Sequence, residues 1–434
     1  MGVLEGNERG RAEPLSAKQM YMFVVLALVY ACHLVDRTII LVLLEPIKHE
    51  FQLNDSELGL LSGTVFALGA VVAALPLGTM ADRWSRKRLL AVCIAAWSAM
   101  TLLCGLTTSF VSLLALRFGV GATEAGLQPT ALSMVADETT SKQRARAVAI
   151  VHMGIPVGTL AGFIFGGWVA AHFGWRNALV LVGIPGLLLA AIVWLTLREP
   201  ERHAEVAPTV VETLTLKEFF AELWQSRPLF HVVLGLIFLW LCTSSVSAFL
   251  GPFFIRMHHL PIATAALVMA GTAGGGGLIG NLLSGVLAQK FAQGRRDRLA
   301  LIAALAGVAY FPLGVATFLV PNLYISIATL FTSTCVYFMV FTPGYSLAMD
   351  LADARIRART AAVISMGATA IGYGLGPQIV GILSDLMAPA LGAQSLRYAL
   401  LCIIFVVLWS AGHFYAAYRR LRVPSGTPTT SLAA

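Results

Sequence analysis

The stretch MYMFVVLALVYACHLVDRTIILVLL, residues 20–44, decides the class of this chain. Wound as an α-helix with a rise of about 1.5 Å per residue, it is long enough to cross a bilayer core, which takes roughly 20 apolar residues. Working outward, the same kind of run recurs at Leu58–Met80 and Leu89–Thr107, then at about 111–135, 147–171, 177–197, 229–255, 263–288, 299–319, 322–349, 360–386 and 398–418. That makes twelve expected spans. Of 434 residues, 58% are hydrophobic and 12% charged, about half the charged fraction of a typical soluble domain, and a water-soluble fold cannot hide that much apolar surface. The first run follows a polar start directly and is too long for a signal core, so it is expected to be retained as a span.

Charge placement gives an independent count. The amino-terminal tail, the alternate loops and the carboxyl-terminal tail hold 24 Lys and Arg, whereas the intervening loops hold 4. This asymmetry is the positive-inside rule and predicts an even number of spans with both termini in the cytoplasm; one missed span would reverse every later loop. The net charge of +8 is therefore topology, and no nucleic-acid partner is expected. The six cysteines all fall inside expected spans without metal-ligand spacing and read as small buried apolar residues.

Two basic residues remain inside the membrane, Arg37 and Arg117, together with two deep acids, Asp36 and Glu124. All four lie in the first and fourth spans. Each costs roughly 2.5–3.5 kcal/mol near mid-membrane, so a compensating arrangement is required, and mutual pairing around a wet cavity supplies one. Arg117 and Glu124 are seven apart, about 700° of rotation and roughly 10 Å of rise, so they share a face without bonding to each other. Each is free to meet Asp36 or Arg37 on the first span, and His33, four before Arg37, lies on the same stripe. The cluster is formally neutral. Desolvation and neighbouring arginines act oppositely on Asp36 and Glu124, which makes them candidates for proton coupling, while Arg37, Arg117 and His33 are candidates for binding an anionic headgroup. A static ion network holding the first half together is the competing account.

The chain repeats internally. Asp137 and Arg144-Ala145-Arg146 recur as Asp350 and Arg357-Ala358-Arg359, and Gly78-Thr79-Met80-Ala81-Asp82-Arg83 has a worn echo in Gly285-Val286-Leu287-Ala288-Gln289-Lys290. Two six-helix halves are expected, at 20–197 and 229–419, with a cytoplasmic tail at 1–19, a linker at 198–228 and a second tail at 420–434. Within the linker, Thr215–Arg227 puts Leu216, Phe219, Phe220, Leu223 and Trp224 on one helical face, with Thr215 and Glu218 as a capping box and Pro228 as the stop. It reads as a helix on the inner leaflet or as a simple spacer between the halves.

Gly78-Thr79-Met80-Ala81-Asp82-Arg83-Trp84-Ser85-Arg86-Lys87-Arg88 resembles the Gly-x-Leu-Ala-Asp-Arg-x-Gly-Arg-Lys signature of the major facilitator superfamily, with Met80 for Leu and Ser85 for Gly. The resemblance implies an all-α major facilitator fold and a cytoplasmic gate of Gly78, Asp82, Arg83, Arg86, Lys87 and Asp137. In that gate Asp82 caps the start of the eleventh helix near Thr360, and Arg86 pairs with Asp137. Within the superfamily, Asp36-Arg37-Thr38, Asp55-Ser56-Glu57-Leu58-Gly59-Leu60, Arg117-Phe118-Gly119-Val120-Gly121-Ala122-Thr123-Glu124-Ala125, Ile155-Pro156-Val157-Gly158 and Arg198-Glu199-Pro200 resemble the spinster family of lipid transporters over residues 36–200. That resemblance implies proton-driven movement of a lysolipid or sphingoid phosphate, carried at Asp36, Arg37 and Glu124, by a bacterial relative in the inner (plasma) membrane. Related permeases for small organic anions share the Gly-rich fourth helix.

Gly154, Gly158, Gly162 and Gly166, with Gly372, Gly376 and Pro377, read as seams where helices approach closely. Gly274–Gly277 lies within the eighth span and is followed by no Gly-Lys-Ser/Thr, which argues against ATP-driven pumping. Asn54-Asp55-Ser56 reads as a helix cap, and His258-His259 as solvent-facing loop residues. Phe249, Tyr337, Phe338, Met339, Tyr345 and Tyr373 supply an apolar wall in the second half, suited to an amphiphile. No nucleophile or metal cluster is visible, so neither an enzyme nor a cofactor is expected. The partners expected are an amphiphilic lipid or organic anion, protons and bilayer lipids, with the chain acting as a monomer. A membrane sensor without transport is the remaining alternative.

Overall fold

The computed structural model describes residues 15–200, 215–353 and 355–422, and these are helical apart from short turns. Ten helical runs among them are long and apolar enough to cross a membrane. Eight cross once: α1 (Ala17–Phe51), α2 (Asp55–Ala81), α3 (Arg86–Cys104), α4 (Phe110–Asp137), α7 (Arg227–His258), α8 (Ile262–Ala292), α9 (Arg296–Leu319) and α10 (Leu323–Leu351). The other two, Lys142–Thr196 and Arg357–Arg422, are 55 and 66 residues long, enough to cross twice. Each breaks where a glycine takes a positive φ, Gly174 at 81° and Gly392 at 53°, a region that side chains with a Cβ rarely enter. The breaks define α5 (142–173), α6 (175–196), α11 (357–391) and α12 (395–422), which brings the crossing segments to the expected twelve. Residues 1–14, 201–214 and 423–434, in the expected tails and linker, lie outside the described residues.

The chain divides into two compact units. The first comprises Met1–Leu43 and Leu68–Ala207; the second comprises Leu44–Ala67 and Pro208–Ala434. Thus α1 and α2 each contribute to both. In sequence terms Leu44–Ala67 belongs to the first half, so the spatial division is not the one expected from the repeat.

Glycine spacing sets the packing of the first unit. Cβ atoms added to Gly154 and Gly158 on α5 would lie 2.0 and 2.2 Å from the carbonyl oxygens of Ala27 and Ala31 on α1, and one on Gly162 would lie 2.0 Å from Thr38 Oγ1. Only the missing side chains let these backbones touch. Gly183 and Gly186 bring α6 onto Ser98 and Leu102 of α3 in the same way. In the second unit Gly372 and Gly376 seat α11 on Trp240, Leu241 and Ser245 of α7, and Ser244 donates to the Gly372 carbonyl at 2.5 Å. Gly63 lets α2 approach the Tyr373 carbonyl of α11.

Three spans widen into π-helix, at Leu60–Thr64 in α2, at Gly271–Gly276 and again at Ala288–Ala292 in α8, and at Ala368–Leu375 in α11. The glycine run that superficially resembles a phosphate loop is therefore helical. Such insertions free one backbone turn from regular geometry and concentrate at functional sites. The linker helix, Leu216–Gln225, carries the expected capping box, and the Thr215 backbone and hydroxyl hold the Glu218 carboxyl below its ordinary range. Phe219 and Leu223 are buried, whereas Phe220 and Trp224 are exposed with Arg227 stacked over the Trp224 ring. The apolar stripe is thus split between an inner and an outer face. Asn54 caps α2 through a reciprocal box with Glu57. Among the cysteines, Cys402 is exposed and Cys32 half-buried, so the expectation that all six are buried holds only for the other four.

The α1–α5 seam yields a direct test. Gly158→Val should cost about 1–3 kcal/mol, since the new side chain meets backbone that cannot retract. It should visibly lower the thermal transition in a fluorescence-detected melt. Gly285→Ala, whose added Cβ has nothing within 4 Å among the described residues, should leave that transition unchanged.

Candidate functional site

The first unit gathers its deep charged residues. Asp36 on α1 and Arg117 on α4 are each 1% exposed, and Glu124, further along α4, is 5% exposed. His33 on α1 places Nδ1 2.9 Å from Glu124 Oε2, an ion-pair distance when the imidazole is protonated. Its ring stands edge-on to Trp97 of α3 at 6.4 Å. Asp36 lies in the fields of both Glu124 and Arg117, with Thr101 of α3 beside it. Arg37, the next residue, is half-buried. The seven-residue spacing on α4 works as its periodicity predicts: Arg117 acts on Asp36 while Glu124 reaches His33, so one helix face serves two partners on α1. His33, on the stripe that the sequence marks, is thus one of the groups in contact with Glu124.

The other face of α1 differs in kind. Leu28, Cys32 and Val35, with Phe165 of α5 and Pro185 and Leu188 of α6, line an apolar groove of about 400 Å³. It offers nothing to hold an ion, which leaves the His33–Asp36 face as the candidate site.

The signature loop folds around the start of α3. Ser85 caps this helix by accepting from the Arg88 amide at 3.3 Å. Arg86 pairs with Asp137 at the end of α4, as the resemblance implies. A further carboxylate completes the loop: Glu199, just after α6, accepts from the Arg86 amide at 2.7 Å, the Lys87 amide at 3.0 Å and the Ser85 hydroxyl. Two free amides opening a helix bind an anion well. In the sequence Glu199 stands out only as part of Arg198-Glu199-Pro200, and nothing in its spacing ties it to a loop 113 positions earlier. Arg83 is exposed, Lys87 half-buried, and a Cβ on Gly78 would meet nothing within 4 Å among the described residues. The side chain of Asp82 lies outside the described residues.

The second unit contributes aromatic rings. Trp240 of α7 contacts Tyr373 of α11 at 5.3 Å and Phe341 and Tyr337 of α10 at 5.7 and 6.2 Å. Phe341 also stacks on Tyr337 and contacts Tyr345. Sequence reading found Tyr337, Phe338, Tyr345 and Tyr373 but missed Trp240 and Phe341. Phe249, expected in the same wall, is fully buried between helices.

A polytopic helical protein with ionisable groups held inside its spans has the architecture of a membrane transporter. Comparison with known proteins gives the family: the profile of the Major Facilitator Superfamily matches residues 26–377, and the chain belongs to that superfamily. It is 30% identical over 380 residues to an MFS-type efflux pump of Mycolicibacterium smegmatis, covering 88% of each chain. It is 29% identical over 252 residues to the Protein spinster of Drosophila melanogaster, covering 57% of this chain and 40% of that one. Among solved structures, a bacterial homolog to the human lysosomal transporter Spinster, in an inward-facing and unoccupied conformation, superimposes with a TM-score of 0.84 at 28% identity, covering 94% of this chain and 98% of that one. The protein is a multi-pass membrane transporter related to spinster, not an enzyme.

Within the signature loop, Arg86→Ala should lower stability by about 2 kcal/mol, because it strands Asp137, a mostly buried acceptor of a charged hydrogen bond. Arg83→Ala, at an exposed position, should stay within about 0.5 kcal/mol of the parent. Paired thermal melts of the two variants in one detergent check both.

Proposed function

We propose that this protein is a proton-coupled secondary transporter that moves an amphiphilic lipid of the lysophospholipid or sphingoid-phosphate type by alternating access. The observation that carries the proposal is the contact between His33 and Glu124 inside the spans, next to Asp36 and Arg117. A static network would be served by arginine–carboxylate pairs that never change charge. Histidine and carboxylate side chains can each take up or release a proton, which arginine cannot, and here they stand in contact with a second carboxylate and Arg117 close by. Uptake of a proton alters the net charge of the cluster by one. A neutralised carboxylate then releases a cation, Arg117 or protonated His33, to an anionic headgroup, and loaded and empty states prefer different gate positions.

Substrate class rests on two surfaces of different character and on the spinster relationship. The first unit offers ionic groups and the second offers the Trp240, Tyr337, Phe341 and Tyr373 cluster. Each chemistry, taken by itself, has its counterpart in an amphiphilic lipid. The loop charges support a topology with both termini in the cytoplasm, in a cell whose inner (plasma) membrane holds the protein. The exposed Phe220 and Trp224 of the linker helix suit the headgroup region of the inner leaflet.

A ligand screen by thermal shift tests the substrate class. A lysophospholipid or sphingoid phosphate should raise the melting temperature by several degrees, and Arg37→Gln should weaken that ligand at least tenfold. If short carboxylates stabilise the protein and compete while lysolipids do neither, the fold serves a small organic anion instead. If no ligand of any class stabilises it, the proposed substrate class fails.

A further inference from the structure

Positive charge is scarce on the face opposite the basic loops: Lys48, Arg176, Arg256 and Arg397 are its four cations. Two of them are committed to one network in the second unit. Arg256, near the end of α7, donates from Nε to both Glu45 oxygens at 3.0 Å and from Nη1 to Asp55 Oδ2 at 2.9 Å. Lys48 meets the other Asp55 oxygen. Glu45 and Asp55 are 5% and 3% exposed, so these charges have left water and depend on one another. Ser384 of α11 adds a 2.6 Å hydrogen bond to Asp55.

A second contact binds the same helices from the α11 side. Asp385 accepts from the backbone amides of Asp55 at 2.9 Å and Ser56 at 2.8 Å, and from the Ser56 hydroxyl. It therefore caps the first turn of α2, where unsatisfied amides and the helix dipole favour an anion. The backbones are close enough that Cβ atoms on Gly381 and Gly59 would lie 2.3 Å from the Asp55 carbonyl and 2.8 Å from the Pro377 carbonyl. Sequence position alone places Asp385 at a span boundary without a role.

The chain positions have a reciprocal form. Helices α2 and α11 run in opposite directions across the membrane, and an acid stands at the carboxyl-terminal end of each, Asp82 directly after α2 and Asp385 within α11. We propose that Asp385, braced by the Glu45–Arg256–Asp55–Lys48 network, is an outer lock of the transport cycle. It caps α2 in one state, and it releases α2 in the state in which the signature loop closes the cytoplasmic side. The lock holds Leu44–Ala67 within the second unit and must open for that segment to move with the rest of α1 and α2. These five residues position the helices for alternating access and touch no substrate. The proposal rests on the alternating-access part of the preceding reading; it requires neither the proton coupling nor the substrate class.

Hydrogen–deuterium exchange with mass spectrometry on the full chain in lipid nanodiscs, without ligand, tests it. Asp385→Ala should speed exchange of the 54–60 amides at least tenfold and slow exchange at 78–90, the signature loop. Unchanged exchange at 54–60, or a rise confined to 54–60 with the cytoplasmic segments unmoved, would overturn the reciprocal lock and reduce Asp385 to a local cap. A Ser56→Cys/Asp385→Cys disulfide provides the converse test should Asp385→Ala fail to fold. Oxidation should slow exchange at 54–60 and speed it at 78–90, with reduction reversing both. Identical exchange in the oxidised and reduced forms would also overturn the proposal. Since no ligand or proton gradient is used, a failure here leaves the substrate reading standing, and a failed ligand screen leaves this result standing.

Discussion

Ionised groups inside a hydrocarbon slab must be met by other protein groups, and that constraint organises this molecule. The chain places its deep charges on α1 and α4 and meets them there: Glu124 with His33, and Asp36 beside Arg117. A second set lies near the opposite surface, where the buried Glu45 and Asp55 meet the half-buried Lys48 and Arg256, with Asp385 on the amides opening a helix. Neither set adds much net stability beyond what an apolar core would supply, because desolvation offsets most of the Coulomb attraction. What they add is discrimination between arrangements, since separating the partners strands a charge.

Close helix packing makes those meetings possible. Without glycine at 154, 158 and 162, α5 could not lie against α1. The π-helical turns in α2, α8 and α11 fall where glycine or small residues are dense, and two of them flank the close approach of Gly63 to Tyr373. Such seams let helices slide with little side-chain interlock, which suits a protein whose work is movement between packed states.

Much of this was legible in the sequence because lipid leaves so few options. The span count followed from apolar run length and loop charge, and the structure recovers it once the breaks at Gly174 and Gly392 are recognised. The Arg117–Glu124 spacing and the His33 stripe placed the central cluster, since helical periodicity holds over seven residues. That Glu124 reaches His33 was not legible, because it depends on rotation and tilt of α1 against α4, which periodicity does not encode. Glu199 and Asp385 were missed for a related reason: both bind backbone amides, and an amide leaves no mark in a sequence. The division at Leu44 and Ala67 was hidden as well, because a repeat records descent of the chain and not which ends of its helices cluster.

The central claim is that the buried cluster on α1 and α4 carries protons as the substrate moves. The most direct measurement follows internal pH with a trapped dye in proteoliposomes on addition of a stabilising lysolipid. The parent should produce a substrate-dependent pH change that Asp36→Asn or Glu124→Gln reduces at least tenfold while ligand binding persists. Substrate flux in the parent with no accompanying pH change, or pH changes of equal size in both variants, would contradict the account.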